Sequence, residues 1–360
     1  MPSRAVLDAK AALRPRHGYD SGSCPREGKL LDGIRLQHWT FEWLPRHALN
    51  RYSRKVDTPF RIAAFNAENF SLLLDRPYTR EELDALSEAD YLAMNPSIFN
   101  PNKERIKIAE IGDMVRRGDY DVVGLCEVGG RESLAAFNRL YLDDRYEVYL
   151  HEENSKRGIF VGALVKRGRF SWVRAVNVPG AFARNLLKLT VGQERGGVEI
   201  FVVHLKSQFG QDRGLEHRIK EIDRLCALVR PQKCIVMGDF NGILIRGEAQ
   251  FEYEPFLALP FRDVLEAAGV PPEERRTHYH FGPEPHFTQL DYIFCSNDLH
   301  VLEAGVVEGE IPLNKTQRGF LPSDHLMIHA TVALEKPVID QTPVKPLSWW
   351  HRLRKRLQLF

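Results

Sequence analysis

Residues 234–242 read CIVMGDFNG. The run begins like a buried strand, because Ile235, Val236 and Met237 are apolar β-formers with no charge among them. It ends at once in Gly238, Asp239, Phe240, Asn241 and Gly242. Side chains alternate faces along a strand, so Asp239 and Asn241 point one way and Phe240 the other. Two polar groups side by side at the mouth of a sheet serve a turn or hold a ligand. The rest of the chain has to decide between these.

The same event recurs along the chain. RIAAFNAEN (61–69) carries Asn66 and Glu68, VVGLCEV (122–128) carries Glu127, and IFVVHLKS (200–207) carries His204 and Lys206. FTQLDYIF (287–294) carries Asp291, and LPSDHLMI (321–328) carries Asp324 and His325. One acid at a strand end is more often a turn former or a helix N-cap than a ligand. So many along one domain are hard to assign to turns, because a sheet gathers its strand ends on a common edge. Carboxylates and an amide with no cysteine among them make a hard oxygen site, suited to Mg²⁺ or Mn²⁺ rather than zinc. Histidines beside such a site point to proton transfer or to stabilising a phosphoryl oxyanion. Together these residues suggest metal-assisted hydrolysis of a phosphate ester.

Working outward, the organised pattern spans 57–335. Residues 1–56 form an N-terminal extension of basic residues, prolines and glycines with one aromatic patch, HWTFEWLPRH (38–47). In PFRIAAFNAENF, Phe60, Ile62 and Ala64 alternate with Arg61, Ala63 and Phe65, as in a strand. An acidic insertion follows, with a short helix opened by Thr79 and Glu82 three residues on, the pattern of a capping box. KERIKIAEIGDMVRRG (103–118) predicts a helix with Ile106, Ile108, Ile111, Met114 and Val115 roughly on one side. SLAAFNRLYL (133–142) and EHRIKEIDRLCALVR (216–230) also read as helices. DVVGLCEV, GIFVGALVKR, NLLKLTV, VEIFVVHLKS, QLDYIFCS and HLMIHATVAL read as strands. Helices mixed with strands joined by short turns predict an α/β sandwich of mixed or antiparallel sheets, not a regular βαβ barrel.

With 360 residues, 43% hydrophobic and 27% charged, the chain has the composition of a globular protein that buries a real core. A formal net charge of +2 points to no partner by bulk electrostatics. Cys24, Cys126, Cys226, Cys234 and Cys295 are odd in number and widely spaced, with no C-x-x-C pair. They read as buried reduced thiols, which suits a reducing compartment. The N-terminus lacks the apolar core of a signal peptide, and no stretch is apolar enough to cross a bilayer, so a cytoplasmic location is expected. Residues 336–360 form a basic amphipathic tail, with Trp349, Trp350, Leu353, Leu357 and Phe360 among Arg352, Arg354, Lys355 and Arg356. Such a tail lies on an anionic membrane surface, on nucleic acid, or on its own domain.

Asn66, Glu127, the HLKS run, GDFNG, LDY and SDH occur in an order that resembles the endonuclease/exonuclease/phosphatase superfamily of deoxyribonuclease I-like enzymes. The resemblance covers about Pro59 to Leu334. It implies a four-layer α/β/β/α sandwich with the site at one end of two packed sheets. It implies Asn66, Glu127 and Asp324 as ligands for Mg²⁺ (or Mn²⁺), and His204, Asp239, Asn241, Asp291 and His325 as catalytic residues. Within that set Asp291 orients His325, Asp239 and Asn241 position the attacking water and hold a non-bridging oxygen, and His204 contacts the phosphate. The general base is either Asp239 or His325. Arg184 resembles a basic residue near the phosphate, and Lys206 is an electrostatic support or a solvated edge charge. Glu68 shares the face of Asn66 or serves the surface. Gln289 stands where many nuclease relatives carry arginine or another polar group. The histidines of THYHF (277–281) and His286 read as surface loop residues. A nuclease acting on DNA or RNA is the leading expectation. A phosphatase or a phospholipid or small-molecule phosphodiesterase is the first alternative, and an inactive binding relative the second.

Overall fold

Strands that are apolar on both faces need cover on both faces. The computed structural model describes residues 59–334, apart from 154, 193–196, 209–213, 246 and 282–284. The expected extension (1–56), the basic tail (336–360) and Cys24 lie outside the described residues.

Along the chain, β1 (Phe60–Phe70) is followed by α1 (Arg80–Asp84), α2 (Glu88–Ala93), α3 (Arg105–Gly118) and β2 (Val122–Val128). Next come α4 (Arg131–Tyr141), β3 (Tyr146–Leu150), β4 (Phe160–Lys166), β5 (Trp172–Val178), β6 (Leu186–Gly192) and β7 (Gly197–His204). α5 (Leu215–Leu228) leads to β8 (Cys234–Asp239), α6 (Glu254–Leu257), β9 (Phe261–Asp263) and α7 (Val264–Ala267). Then follow β10 (His278–His280), β11 (His286–Thr288), β12 (Asp291–Ser296), β13 (His300–Val306), α8 (Lys315–Phe320) and β14 (Ile328–Ala333).

The strands form two six-stranded sheets, β13-β14-β1-β2-β4-β3 and β5-β6-β7-β8-β12-β9, and β10 pairs with β11 alone. Each large sheet holds one parallel pair, β1 with β2 and β7 with β8. A parallel pair needs a crossover, and α1–α3 and α5 supply the two. The other pairings are antiparallel.

Alternation along the central strands builds three cores. Ala63 and Phe65 of β1 face a core shared with Leu83, Tyr91, Ile108, Ile111, Leu134 and Phe137 of the first four helices. Phe60, Ile62 and Ala64 face the opposite way, into a core between the sheets with Ile200, Val202, Ile235, Met237 and Ile293. Phe201, Val203, Val236, Tyr292 and Phe294 look outward onto Ile222 and Leu225 of α5 and Phe256 of α6. Helices, sheet, sheet and helices are therefore the four layers expected.

The capping box at α1 is present: Glu82 donates its N–H to Thr79 Oγ1 at 3.2 Å, and Glu82 Oε2 accepts from the Thr79 N–H at 2.8 Å. The expected face of α3 needs one correction, since Ile106 is 67% exposed while Ile108 and Ile111 are buried. At 3.6 residues per turn, positions two apart lie on nearly opposite sides. The edge strands β3, β5, β9 and β13 were not expected from the sequence. β5 and β13 are half exposed, so they lack a continuous apolar run. Cys126, Cys234 and Cys295 are buried free thiols as expected, and Cys226 is free and half-buried. No helix among the described residues is long and apolar enough to cross a membrane.

Candidate active site

The site is where rows of the inter-sheet core end. Ile62 and Ala64 lead to Asn66 on β1, Ile200 and Val202 lead to His204 on β7, and Ile235 and Met237 lead to Asp239 on β8. On β12, which runs the other way, Asp291 precedes Ile293 and Cys295 in the same row. The apolar parts of these rows pack the two sheets together, and their polar ends converge at one edge. Strand register sets the spacing: His204 pairs with Asp239 across the parallel ladder, and Asp239 pairs with Asp291 across the antiparallel one. His204, Asp239 and Asp291 therefore share one rung.

The other sheet closes over that rung. Asn66 Nδ2 donates to Asp239 Oδ2 at 2.9 Å. Asn241 clamps the same carboxylate, its N–H to Oδ1 at 2.8 Å and its Nδ2 to Oδ2 at 3.2 Å. Asn241 Nδ2 also donates to the Leu205 carbonyl at 2.9 Å, so this amide holds Asp239 in place. His325 Nδ1 bonds Asp291 Oδ2 at 2.7 Å, the expected carboxylate–imidazole pair. Its Nε2 stands 4.0 Å from Asp239 Oδ2 and 3.9 Å from Asp324 Oδ1. His204 Nε2 lies 3.5 Å from Asp239 Oδ2 and 3.8 Å from Glu127 Oε1.

Glu127 reaches the site against the alternation of its strand, which would place it with Val123 and Leu125 on the helix side. Its φ is 61°, and the β2 ladder shifts register between Leu125 and Val128. The bulge re-aims the side chain. Glu68, Asn69 and Asn241 also have left-handed φ, at 44°, 48° and 52°. Backbone strain at non-glycine residues costs about 1–3 kcal/mol each and gathers at functional sites.

Glu68 belongs to the site network. Its Oε2 accepts the Asp324 N–H at 3.1 Å, and its Oε1 pairs with Arg318 Nε at 2.6 Å. Arg318 of α8 also holds Asp324 Oδ2 at 2.8 Å. Lys103, buried, donates to the Glu68 carbonyl at 2.7 Å, and burial lowers its pKa to about 8. Arg184 is buried, donates weakly to the Leu205 carbonyl at 3.4 Å, and leaves its Nε without a partner among the described residues. Lys206 is half-buried, and its ammonium joins no bond among the described residues. Its N–H bonds Glu221 Oε2 at 2.7 Å. Glu221 Oε1 accepts from the Ala183 N–H at 2.7 Å, so one buried carboxylate pins the backbone beside both Arg184 and His204. Gln289 is buried and bonds Asp263 Oδ2 at 3.1 Å, which makes it a packing residue and not a phosphate contact. Sequence reasoning missed His278, Arg318, Lys103 and Glu221. It placed His278 on the surface, whereas the ring centroid lies 4.8 Å from that of His325. None of these ends an apolar run, so the pattern that exposed the others was absent.

Electrostatics separates the titratable groups. Burial pushes the Asp239 carboxyl up, and the Asp291 carboxylate adds to that. Burial opposes charge on His325, but Asp291, Asp239 and Asp324 outweigh it and hold the ring well above the ordinary imidazole range. Burial, then the Arg184 guanidinium, hold His204 well below that range. His278 is pushed down to about 3 by burial and by its neighbour His325. One imidazolium therefore faces a carboxylate of raised proton affinity, with a neutral imidazole on the other side.

Of the expected metal ligands, Asn66 and Glu127 each lie against the rung, Asn66 through Asp239 and Glu127 through His204. Glu127 Oε2 accepts the Asn69 N–H at 3.0 Å, which orients the carboxylate and leaves Oε1 toward His204. Two groups of ligand atoms, each within 4.8 Å of one another, could hold a metal ion, Asp239–Asp291–His325 and His278–Asp324–His325; of the expected ligands they include Asp324 but not Asn66 or Glu127.

A sequence model described as "Endonuclease/Exonuclease/phosphatase family" matches residues 63–325. No curated protein matches the chain. Among solved structures, the TDP2 of D. rerio complexed with single-strand DNA product is 19% identical, with a TM-score of 0.50 over 77% of this chain and 99% of that one. The endonuclease/exonuclease/phosphatase of Bacteroides vulgatus is 17% identical, with a TM-score of 0.50 over 77% of this chain and 100% of that one. At these identities the likeness is one of fold.

Proposed function

The chain belongs to the endonuclease/exonuclease/phosphatase family, and on that premise we propose that it is a divalent-metal-dependent phosphodiesterase that cleaves nucleic acid by in-line attack of water. The observation that carries the reading is the rung His204–Asp239–Asp291, closed by Asn66 and Glu127 of the other sheet and by His325. The reading assigns the chemistry to the expected domain, 57–335.

Displacement at phosphorus needs mostly positioning and charge stabilisation. Asn66, Glu127 and Asp324 would hold the cation, which when bound supplies positive charge to the phosphate oxygens. Asp239 is the better candidate for the base, because both its oxygens are fixed by Asn66 and Asn241 and burial raises its proton affinity. His325 has its Nδ1 committed to Asp291 and stands among three carboxylates, so it serves as the charged donor to a non-bridging oxygen through Nε2. Asp291 acts through His325. His204, beside Arg184, is a neutral ring that donates a hydrogen bond to the phosphate.

Two features support an anionic ester of nucleic acid as the substrate to test first. Positive charge from Arg184, His325 and Arg157 acts on the His204 ring, which suits an anionic phosphate ester. A protein of the same fold, the D. rerio TDP2, holds a single-strand DNA product, which supports assaying nucleic acid before the other esters. The test is to incubate the full chain with plasmid DNA, single-strand DNA, RNA, inositol phosphates and phospholipids, each with Mg²⁺, with Mn²⁺ and with a chelator. Cleavage of nucleic acid that disappears with the chelator is expected. Turnover confined to inositol phosphates or phospholipids would move the substrate class. No turnover of any ester with either metal would contradict the proposal.

A further inference from the structure

His278 lies outside the residues used above, and its surroundings are unusual for a packing histidine. It sits on β10 and forms an isolated antiparallel bridge with His325, fixed next door by the Leu326 N–H to Thr277 carbonyl bond at 2.8 Å. The two rings lie with centroids 4.8 Å apart, tilted by 43°. The His278 Nδ1 is buried and has no hydrogen-bond partner among the described residues. A buried polar atom without a partner costs about 1–3 kcal/mol. Placing that imidazole against a second ring held among carboxylates adds repulsion whenever the second ring is charged. Packing alone does not explain the arrangement.

A metal ion does. One ring nitrogen of His278, one of His325 and one oxygen of Asp324 lie within 4.8 Å of one another. His325 Nδ1 is bound to Asp291 Oδ2 at 2.7 Å, which leaves Nε2 as the ligand atom; Nε2 binds a metal only after giving up its proton, so an ion here and the hydrogen bond to phosphate exclude one another. A metal-binding histidine almost always gives its other N–H to a carboxylate, a backbone carbonyl or water, and Asp291 fills that role here. Asp324 is steadied in turn by Arg318, whose NH2 group holds Oδ2 at 2.8 Å. Two imidazoles and one carboxylate, of which His325 and Asp324 carry outer support, make a three-ligand set with room for a fourth ligand.

We propose that His278, Asp324 and His325 form a second cation site, selective for a divalent ion that accepts imidazole nitrogen more readily than Mg²⁺ does, Zn²⁺ or Co²⁺ first and Mn²⁺ after them. Mg²⁺ favours oxygen ligands and retains its waters, so two nitrogens disfavour it. Asp324 is common to this set and to the oxygen donors assigned above. The inference does not depend on hydrolysis.

The test is Co²⁺ binding to the full chain in excess Mg²⁺, followed by the visible absorption of the bound ion. The wild-type chain is expected to show a saturable band of low-coordinate Co²⁺. His278→Gln is expected to lose that band and to weaken binding by more than the ~10–100-fold that loss of an outer-shell partner causes. Because other histidines of the chain can bind Co²⁺, the difference between wild type and variant is the quantity read. Pulsed electron paramagnetic resonance of Mn²⁺ on the ¹⁵N-histidine-labelled wild-type chain needs no substitution and is expected to show coupling to imidazole nitrogen. An unchanged Co²⁺ band and affinity in a folded His278→Gln, or no imidazole coupling at any Mn²⁺ loading, would overturn the site and leave the phosphodiesterase assignment untouched.

Discussion

Asp291 and His325 are the pair whose roles can be separated most cleanly at the residue scale. Asp291 Oδ2 meets His325 Nδ1, and its Oδ1 is buried without a partner among the described residues. If Asp291 acts only by orienting and charging the ring, its effect should vanish once the ring is gone. Asp291→Asn and His325→Gln are each expected to lower kcat by about 10³-fold, and the double variant by little more than either alone. Additive losses in kcat would mean that Asp291 does something independent of His325. A second residue-scale prediction concerns Asp263, the N-cap of α7, which accepts the Leu265 N–H at 3.1 Å. Burial raises its carboxyl to about 6 from the ordinary 3.8, against the opposing bonds from Gln289 and Leu265. The folded chain then binds this proton more tightly than the unfolded one, so the contribution to stability is whole below 3.8 and lost as pH rises through about 6. Asp263→Asn keeps the cap and removes the charge. It is expected to raise the unfolding temperature at about pH 8 and to change it far less at about pH 4, by thermal unfolding. Equal shifts at both would contradict the raised value.

At the scale of the element, the strand that ends in GDFNG shows why a glycine precedes the acid. Gly238 has φ 133°, and a Cβ there would overlap the Val203 carbonyl oxygen of the neighbouring β7. Gly238→Ala is expected to destabilise the chain by at least the ~1–3 kcal/mol of backbone strain, and to misplace Asp239. Urea unfolding measures the first and kcat the second, and an unperturbed variant would contradict the close approach. Alternation and apolar content were enough to read β7, β8 and β12 as strands and to mark His204, Asp239 and Asp291 as the polar residues of those runs, because their rows are apolar without interruption. It was not enough for Glu127, whose carboxylate arrives through a positive φ that no hydrophobic period announces. His278 was illegible for a different reason: β10 has three residues and no apolar row, and its burial comes from pairing with β11 and bridging to His325. The edge strands β5 and β13 carry too many half-exposed positions to stand out.

Over the whole molecule, each sheet contributes what the other lacks. β1 and β2 bring Asn66 and Glu127, while β7, β8 and β12 bring His204, Asp239 and Asp291. Packing the sheets face to face, with Cys126 Sγ reaching the Val203 carbonyl at 3.2 Å, sets the distance between the two halves. Sequence order revealed that these residues recur, and the family resemblance supplied the sandwich. The strand order, with a parallel pair inside each sheet, depends on long-range pairing that no local pattern encodes. Asp239 is where the halves meet, since Asn66 of one sheet and His204 and His325 around it all address one carboxylate. The most direct test is therefore the rate of Mg²⁺-supported phosphodiester hydrolysis by Asp239→Asn, which keeps the shape and removes the base. The account predicts a loss of about 10³-fold or more in kcat from a variant that still folds. Hydrolysis at the wild-type rate would contradict it.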